Sequence, residues 1–395
     1  GIAAAEAMLA VAEKGKNSVI LMIGMVGGIV GKIFGIPTDI LGVGWIGNMW
    51  ALGAFGVGLL ISEYTPKFFN IKLVPHGVMI GAGFVALIQM ILILQKKSKK
   101  EKEAAAAEAA TGKVEKKEFT RSLKSMKFSL AEGFGAYILV SIVMAIMCGF
   151  SADMSAGMFV WWIIFAALSA IISELIVGIS AMHSGWFPAF ATAFIFLILG
   201  MLFGFPPAQL AILVGFTSAT GPAFADMAYD LKSGYIVRGN GEDVPFEMEG
   251  RRQQYIAKMV SAVIAILVVL FTYKAYFEKG MLAPVDAVYV ATIDAGTNMA
   301  VAKNLIIWAI PGALLQAIGG SGRQLGVLFA TGLLIASPMA GITVLVGLLI
   351  RYIVVKKYGD LGQSKLYILG AGFITGAALY SFFSSTMNLG KKLNK

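Results

Sequence analysis

The chain holds 395 residues, of which 58% are hydrophobic and only 14% charged, with a mean hydropathy of +0.81. A soluble chain of this length carries nearer a quarter charged residues, so a water-soluble globule is excluded. Several apolar runs reach the roughly 20 residues that cross a bilayer, which reads as an all-α polytopic membrane protein of about 11 transmembrane helices. The formal charge of +10 does not call for nucleic acid, because the excess sits in one linker, as the positive-inside rule describes. One cysteine, Cys148, and two histidines, His76 and His183, leave no material for a disulfide framework or a His/Cys metal cage, and no metal or cofactor is expected.

Residues 1–94 read as transmembrane helices 1–3. Gly1 to Val11 is apolar but has no charged n-region, so it is a poor signal peptide. Asn17 to Phe34 is the first clear span, with glycines at small-xxx-small spacing that lets helix backbones approach in lipid. Pro37 breaks it, and Ile40 to Ile61 reads as the second span, holding Asn48 between Trp45 and Trp50. Asn48 has two readings, a solute contact or an interhelical hydrogen bond. Leu73 to Leu94 is the third span, opened by Pro75-His76-Gly77.

Residues 95–127 hold eleven Lys/Arg and five Glu and read as a basic cytoplasmic linker, partly helical. Residues 128–222 read as helices 4–7. Glu174 falls deep in the fifth, where a carboxylate is hard to explain as surface decoration. His183-Ser184-Gly185 makes a tight connection to the sixth, and the seventh is short, ending at a break at Gly221-Pro222.

Residues 223–252 read as a motif loop on the cytoplasmic side. Asp226 and Asp230 are four apart and share one helical face, with Lys232 close behind. Residues 253–395 read as helices 8–11 and a basic tail. Leu325 to Val355, with Pro338 at its middle, is either one kinked helix or a re-entrant segment followed by a span. On charge, the linker, the motif loop, Arg323 and the lysine tail belong on one side, which leaves Lys356 to Lys365 discordant on the other.

The sequence also repeats itself. Gly58-Leu59-Leu60-Ile61 recurs as Gly347-Leu348-Leu349-Ile350, and Gly81-Ala82-Gly83-Phe84 as Gly370-Ala371-Gly372-Phe373, both at an offset of 289. Eight spans counted from one copy to the other predict a parallel repeat, a design from which secondary transporters build a site between copies.

Asp230-Leu231-Lys232-Ser233-Gly234-Tyr235, followed by Arg251-Arg252-Gln253-Gln254 at the start of a span, resembles the oligopeptide transporter superfamily, which includes the yellow stripe-like metal–chelate carriers. Ser233 stands where Thr is usual, and Val237 to Glu249 is longer and more acidic than the usual connection. The likeness covers about the C-terminal two thirds of a member. It implies a secondary active transporter, a proton-coupled symporter importing short peptides or metal–chelate complexes, with a site midway across the bilayer lined by broken helices. No nucleotide-binding or hydrolase motif is present, so an enzyme is not expected. The rivals are a channel or structural subunit of a larger complex, and an intramembrane enzyme. Candidate solute or coupling residues are Glu174, Asp226, Asp230, Lys232, Asn48 and His183. The expected partners are solute, protons, the bilayer of a bacterial-type inner membrane and a second copy of the chain, with no nucleic acid.

Overall fold

The structure, a computed structural model, describes residues 15–64, 73–111, 123–184, 189–278 and 282–393, with positions 5, 8, 9 and 280. Among the described residues there are thirteen α-helices and no strand. They are α1 Lys16–Ile33, α2 Thr38–Ile46, α3 Met49–Ile61, α4 Val74–Thr111, α5 Leu123–Met147, α6 Ala156–Ser184 and α7 Ala189–Leu202. Then come α8 Pro207–Val237, α9 Val244–Phe277, α10 Pro284–Thr297, α11 Met299–Arg323, α12 Leu325–Ile335 and α13 Pro338–Leu393. Six are long and apolar enough to cross a membrane, and five shorter apolar helices accompany them. The protein is therefore a polytopic helical membrane protein, as its composition demands.

Two helices depart from one straight rod each, α11 at Gly320 (φ 70) and α13 at Gly359. α13 turns back at Gly359 (φ 58), where Arg351 donates to Gln363 Oε1 and Gly362 lies against Val354, giving a first limb (338–358) and a second limb (360–393). α12 and α13 are separated at Ala336 (φ 52), so Leu325 to Val355 is a short helix followed by a long one. At Gly221-Pro222 the expected break does not occur: α8 runs on to Val237 and carries Asp226, Asp230 and Lys232 with it. Pro222 removes one backbone bond, but Gly221 lets α8 pack on Ser173 and Val177 of α6, and Thr220 Oγ1 donates to Ala170 O at 3.5 Å across the same interface.

The 289-residue offset is realised in space and extends beyond the two tetrapeptides. α1 lies beside the second limb of α13 in the same direction, with Gly24 facing Leu369 and Gly28 facing Phe373. α4 lies beside α11 in the same direction, with Gly77 facing Leu305, Gly81 facing Ala309, and Gln89 and Gln316 exchanging hydrogen bonds. The offset carries α1–α4 onto α11, α12 and the two limbs of α13, and one interface onto the other. Between the units Gly56 meets Leu345, its own counterpart, while Leu60 meets Gly341 and Gly53 meets Leu348. Counterpart helices therefore run in opposite directions. The repeat is inverted, which corrects the expected parallel arrangement.

The reason lies in Ile40 to Ile61, which is not one span. α2 follows the first limb of α13, with Gly44 at Gly347 and the Gly47 carbonyl accepting from Arg351, whereas α3 runs against it. Helices of 9 and 13 residues reach only about 14 and 20 Å, too short to cross singly. The chain reverses at Gly47-Asn48, so one fewer crossing is made than apolarity suggests. Where α3 meets α12, Gly58 and Gly332 sit backbone to backbone, and a side chain at either would collide with main chain.

The directions of the helices also settle the charges. Asn48 Nδ2 donates to Gly322 O at 2.7 Å, and Arg351 ties Gly47 to Gln363, so the α2–α3 turn, the end of α11 and the Gly359 turn all lie toward one side. α4 is parallel to α11, so the basic linker leaves on that side too. α6 and α8 are parallel and α5 opposes α6, as Tyr137 at Glu174 and Phe150 at Trp162 show, which brings residues 238–243 to the same side. Lys356 to Lys365 thus joins the linker and is no longer discordant. The second limb of α13 runs away from it, so the tail lies on the opposite side, contrary to the charge count. Residues 112–122 of the linker lie outside the described residues.

In a Cys148→Ser background, a membrane-impermeant maleimide will modify Lys357→Cys from one side of sealed vesicles and Ser385→Cys from the other. Labelling of Lys357→Cys and Ser385→Cys from one side would contradict the inverted repeat.

Candidate functional site

α6 and α8 are held in register by polar side chains that lipid cannot satisfy. Ser169 and Thr217 share a hydroxyl bond at 2.9 Å, Ser173 donates to Thr217 O at 3.2 Å, and Trp162 Nε1 donates to Gln209 O at 3.2 Å. All four of these side chains other than Gln209 are fully buried, and Gln209 nearly so. Such bonds are retained because the alternative is an unpaired group in hydrocarbon. They fix Glu174, one residue beyond Ser173, on the face that looks toward α5.

There Tyr137 donates its hydroxyl to Glu174 Oε2 at 2.9 Å, and the Tyr137 ring stands edge-on to Phe216 of α8 at 5.8 Å. Glu174 is half-buried and forms no salt bridge among the described residues. This pair lies on the wall of a cavity of about 1140 Å³ between α5, α6, α8 and α9. Its surface is mainly apolar, contributed by Phe216, Phe224, Met227, Leu231 and Met248. Toward the linker side it is rimmed by Glu249, Arg251 and Arg252, with Tyr255 above them.

α9 touches the rest of the fold chiefly through a polar clasp on the end of α8. Arg238 grips Glu247 with both Nε (2.7 Å to Oε2) and Nη2 (3.0 Å to Oε1), and Arg251 Nε adds a third bond to Oε1 at 2.8 Å. Arg238 Nη1 donates to Gln254 Oε1 at 2.8 Å, Gln254 Nε2 to Asp230 O at 2.8 Å, and Lys258 Nζ to Asp230 Oδ2 at 2.8 Å. Gly234 permits it: a side chain there would occupy the space of Gln254 and Arg238. Asp243 caps α9 by accepting from Phe246 N at 3.0 Å. The long acidic connection from Val237 to Glu249 thus supplies the cap and the buried acid of the clasp.

The candidate residues are dispersed. Glu174 alone lines the cavity. Asp226 is exposed on α8 and is not on the cavity wall. Asp230 serves the clasp through Lys258, and Lys232 lies over the Tyr235 ring at 4.7 Å. Asn48 caps α3, accepting from Trp50 N at 3.0 Å and Ala51 N at 3.2 Å. His183 falls in the last turn of α6, and its side chain lies outside the described residues. Among the described residues no His, Cys, Asp and Glu side chains gather as a metal site. Sequence reading missed Tyr137, whose only signal is its helical face opposite Glu174, and the Arg238–Glu247 pair, which no spacing rule announces.

A model of the family described as OPT oligopeptide transporter protein matches residues 22–388. No curated protein and no solved structure matches the chain.

Glu247 is 3% exposed and held by two guanidinium groups. Arg238→Met will destabilise the α8–α9 hairpin by about 3 kcal/mol, because breaking one partner strands the other. Arg238→Met with Glu247→Met will recover most of that loss. Thermal unfolding in detergent, followed by tryptophan fluorescence, measures both.

Proposed function

The chain belongs to the oligopeptide transporter family, and from that premise we propose that it is a proton-coupled symporter whose solute enters the Glu174 cavity. It is a membrane transporter of oligopeptides or related solutes; the finer reading is import of short peptides or metal–chelate complexes across a bacterial-type inner membrane, and the cavity bears on the solute alone. The observation that carries it is a half-buried carboxyl, bonded by one hydroxyl and by no cation, on the wall of an apolar cavity with arginines at its rim.

Each part has a task. Apolar walls accept solute side chains or a chelate's carbon frame, and Arg251 and Arg252 offer fork-shaped donors to a solute carboxylate. Arg251 is engaged by Glu247, while Arg252, 3.7 Å from Glu249 and 73% exposed, is the more adaptable of the two. Glu174 takes up a proton when the cavity faces one side and gives it up on the other, with Tyr137 holding the charged form by its hydroxyl. Because a neutral and an ionised carboxyl differ in what they cost in this cavity, the proton gradient biases the direction of solute movement. Asp226, outside the cavity, has no part in this reading.

Glu174→Gln keeps shape and the bond from Tyr137 while abolishing titration. In proteoliposomes with a labelled peptide, this variant will lose accumulation driven by a pH gradient but keep solute exchange at equal pH. Unchanged pH dependence would remove Glu174 from the coupling. Arg252→Gln will raise the KM for peptides with a free C-terminus about tenfold, roughly 1.4 kcal/mol of lost binding. The same peptides carrying a C-terminal amide will be transported alike by both proteins.

A further inference from the structure

The inverted repeat relates two helix reversals, Gly47-Asn48 between α2 and α3 and Ala336-Ser337 between α12 and α13. Around the first, polar groups converge from distant parts of the chain. Arg351 donates through Nη1 to Gly47 O and through Nε to Gln363 Oε1 at 2.9 Å, and Gln363 Nε2 donates to Trp45 O at 3.1 Å. Asn48 Nδ2 donates to Gly322 O, and the Arg323 guanidinium lies over the Trp50 ring at 4.9 Å. Three carbonyls at the turn and at the end of α11 are thus tied by side chains.

The second reversal lacks these groups. The offset places Ser62 where the first has Arg351, Val74 where it has Gln363, and Ile33 where it has Gly322. Ser62 spends its hydroxyl on Leu59 O, in its own helix, at 2.7 Å. Among the described residues the helix interfaces obey the repeat, and the side-chain ties from Arg351, Gln363 and Asn48 have no counterpart at the second reversal. A repeat that is symmetric in its packing and asymmetric in its ties has a physical consequence, because inverted units can exchange conformations and so expose a central site to either side. The asymmetry then decides which of the two states is favoured.

We infer that the two reversals are alternating gates, the α2–α3 turn on the linker side and the α12–α13 turn on the opposite side, and that Arg351 and Gln363 are positioning residues that latch the linker-side gate shut. The linker-side turn is closed here by three carbonyl-directed bonds from Arg351, Gln363 and Asn48. Opening it requires Arg351 to leave Gly47 and Gln363 to leave Trp45. The helix packing at Gly56, Leu60 and Gly341 stays in place as the common pivot. This inference rests on the transport activity of the family and not on the Glu174 cavity being the solute site.

Gate accessibility tests it without any solute. In the Cys148→Ser protein in proteoliposomes, Ser321→Cys reports on the linker-side turn and Ser337→Cys on the other. Arg351→Gln will speed maleimide modification at Ser321→Cys by about fivefold, as expected when one ordinary polar contact stops biasing a two-state equilibrium, and slow it at Ser337→Cys. Gln363→Met, which keeps volume and flexibility, will shift both reporters in the same sense by a smaller factor. A merely structural role would loosen the fold and speed both reporters together. That outcome, or no change at either, overturns the inference. Unchanged pH dependence in Glu174→Gln with the reciprocal shift intact would instead overturn only the cavity reading.

Discussion

Hydrocarbon offers a peptide group nothing to bond with, so every reversal of the chain inside the layer must bring its own partners. This constraint organises the protein. Where the chain runs as helix, the backbone satisfies itself and glycines decide how near two helices come. Where it reverses at Gly47-Asn48, the freed carbonyls are taken by Arg351, Gln363 and the next helix caps itself on Asn48. At the α11–α12 corner the fully buried Gln316 performs the same service, accepting from Gly326 N at 3.1 Å and Val327 N at 3.2 Å while donating to Gln89 at 2.9 Å. Polar residues that look costly in an apolar chain are thus what permits its helices to be short.

The same constraint separates two kinds of charged group. Arg238 and Glu247 are buried as a mutually satisfied pair, joined at the end of a hairpin where both side chains find several partners. Glu174 is different: it has one hydroxyl partner and opens onto a cavity. A fully paired ion is a fastener, since any change of protonation breaks it. A carboxyl with a single neutral partner tolerates either protonation state. Proximity in sequence to a recognisable motif did not distinguish these cases, because the motif residues Asp230, Gly234 and Gln254 proved to build the fastener.

The inverted repeat gives the fold its closest helix pairs, while the largest apolar cluster lies in the helices between the units. α1 with the second limb of α13, and α4 with α11, are two versions of one interface, and the units meet where Gly56 faces its counterpart Leu345. α5 to α10 lie between the units in sequence, and α5, α6, α8 and α9 build the Glu174 cavity. The outermost, α9, is anchored at its base and exposes Val260 to Phe271 almost entirely, as suits a helix surrounded by lipid.

The sequence by itself determined the class and the family. Hydropathy alone separates a bilayer from water, and a motif read residue by residue survives without coordinates. It also determined that two segments 289 residues apart are copies, and that a carboxylate lies deep in the fifth span. It did not determine direction. A run of 22 residues, Ile40 to Ile61, apolar except for Asn48, satisfies the same hydropathy whether it crosses once or turns back at Gly47. What decides is whether a guanidinium 304 residues away is there to donate to the turn's carbonyl. Nor did it determine which acid meets the cavity, since Asp226 and Glu174 differ only in which neighbour their helix turns them toward. Tertiary structure alone decided both, because the partner that makes a polar backbone or a carboxyl tolerable in lipid is supplied from a distant part of the chain.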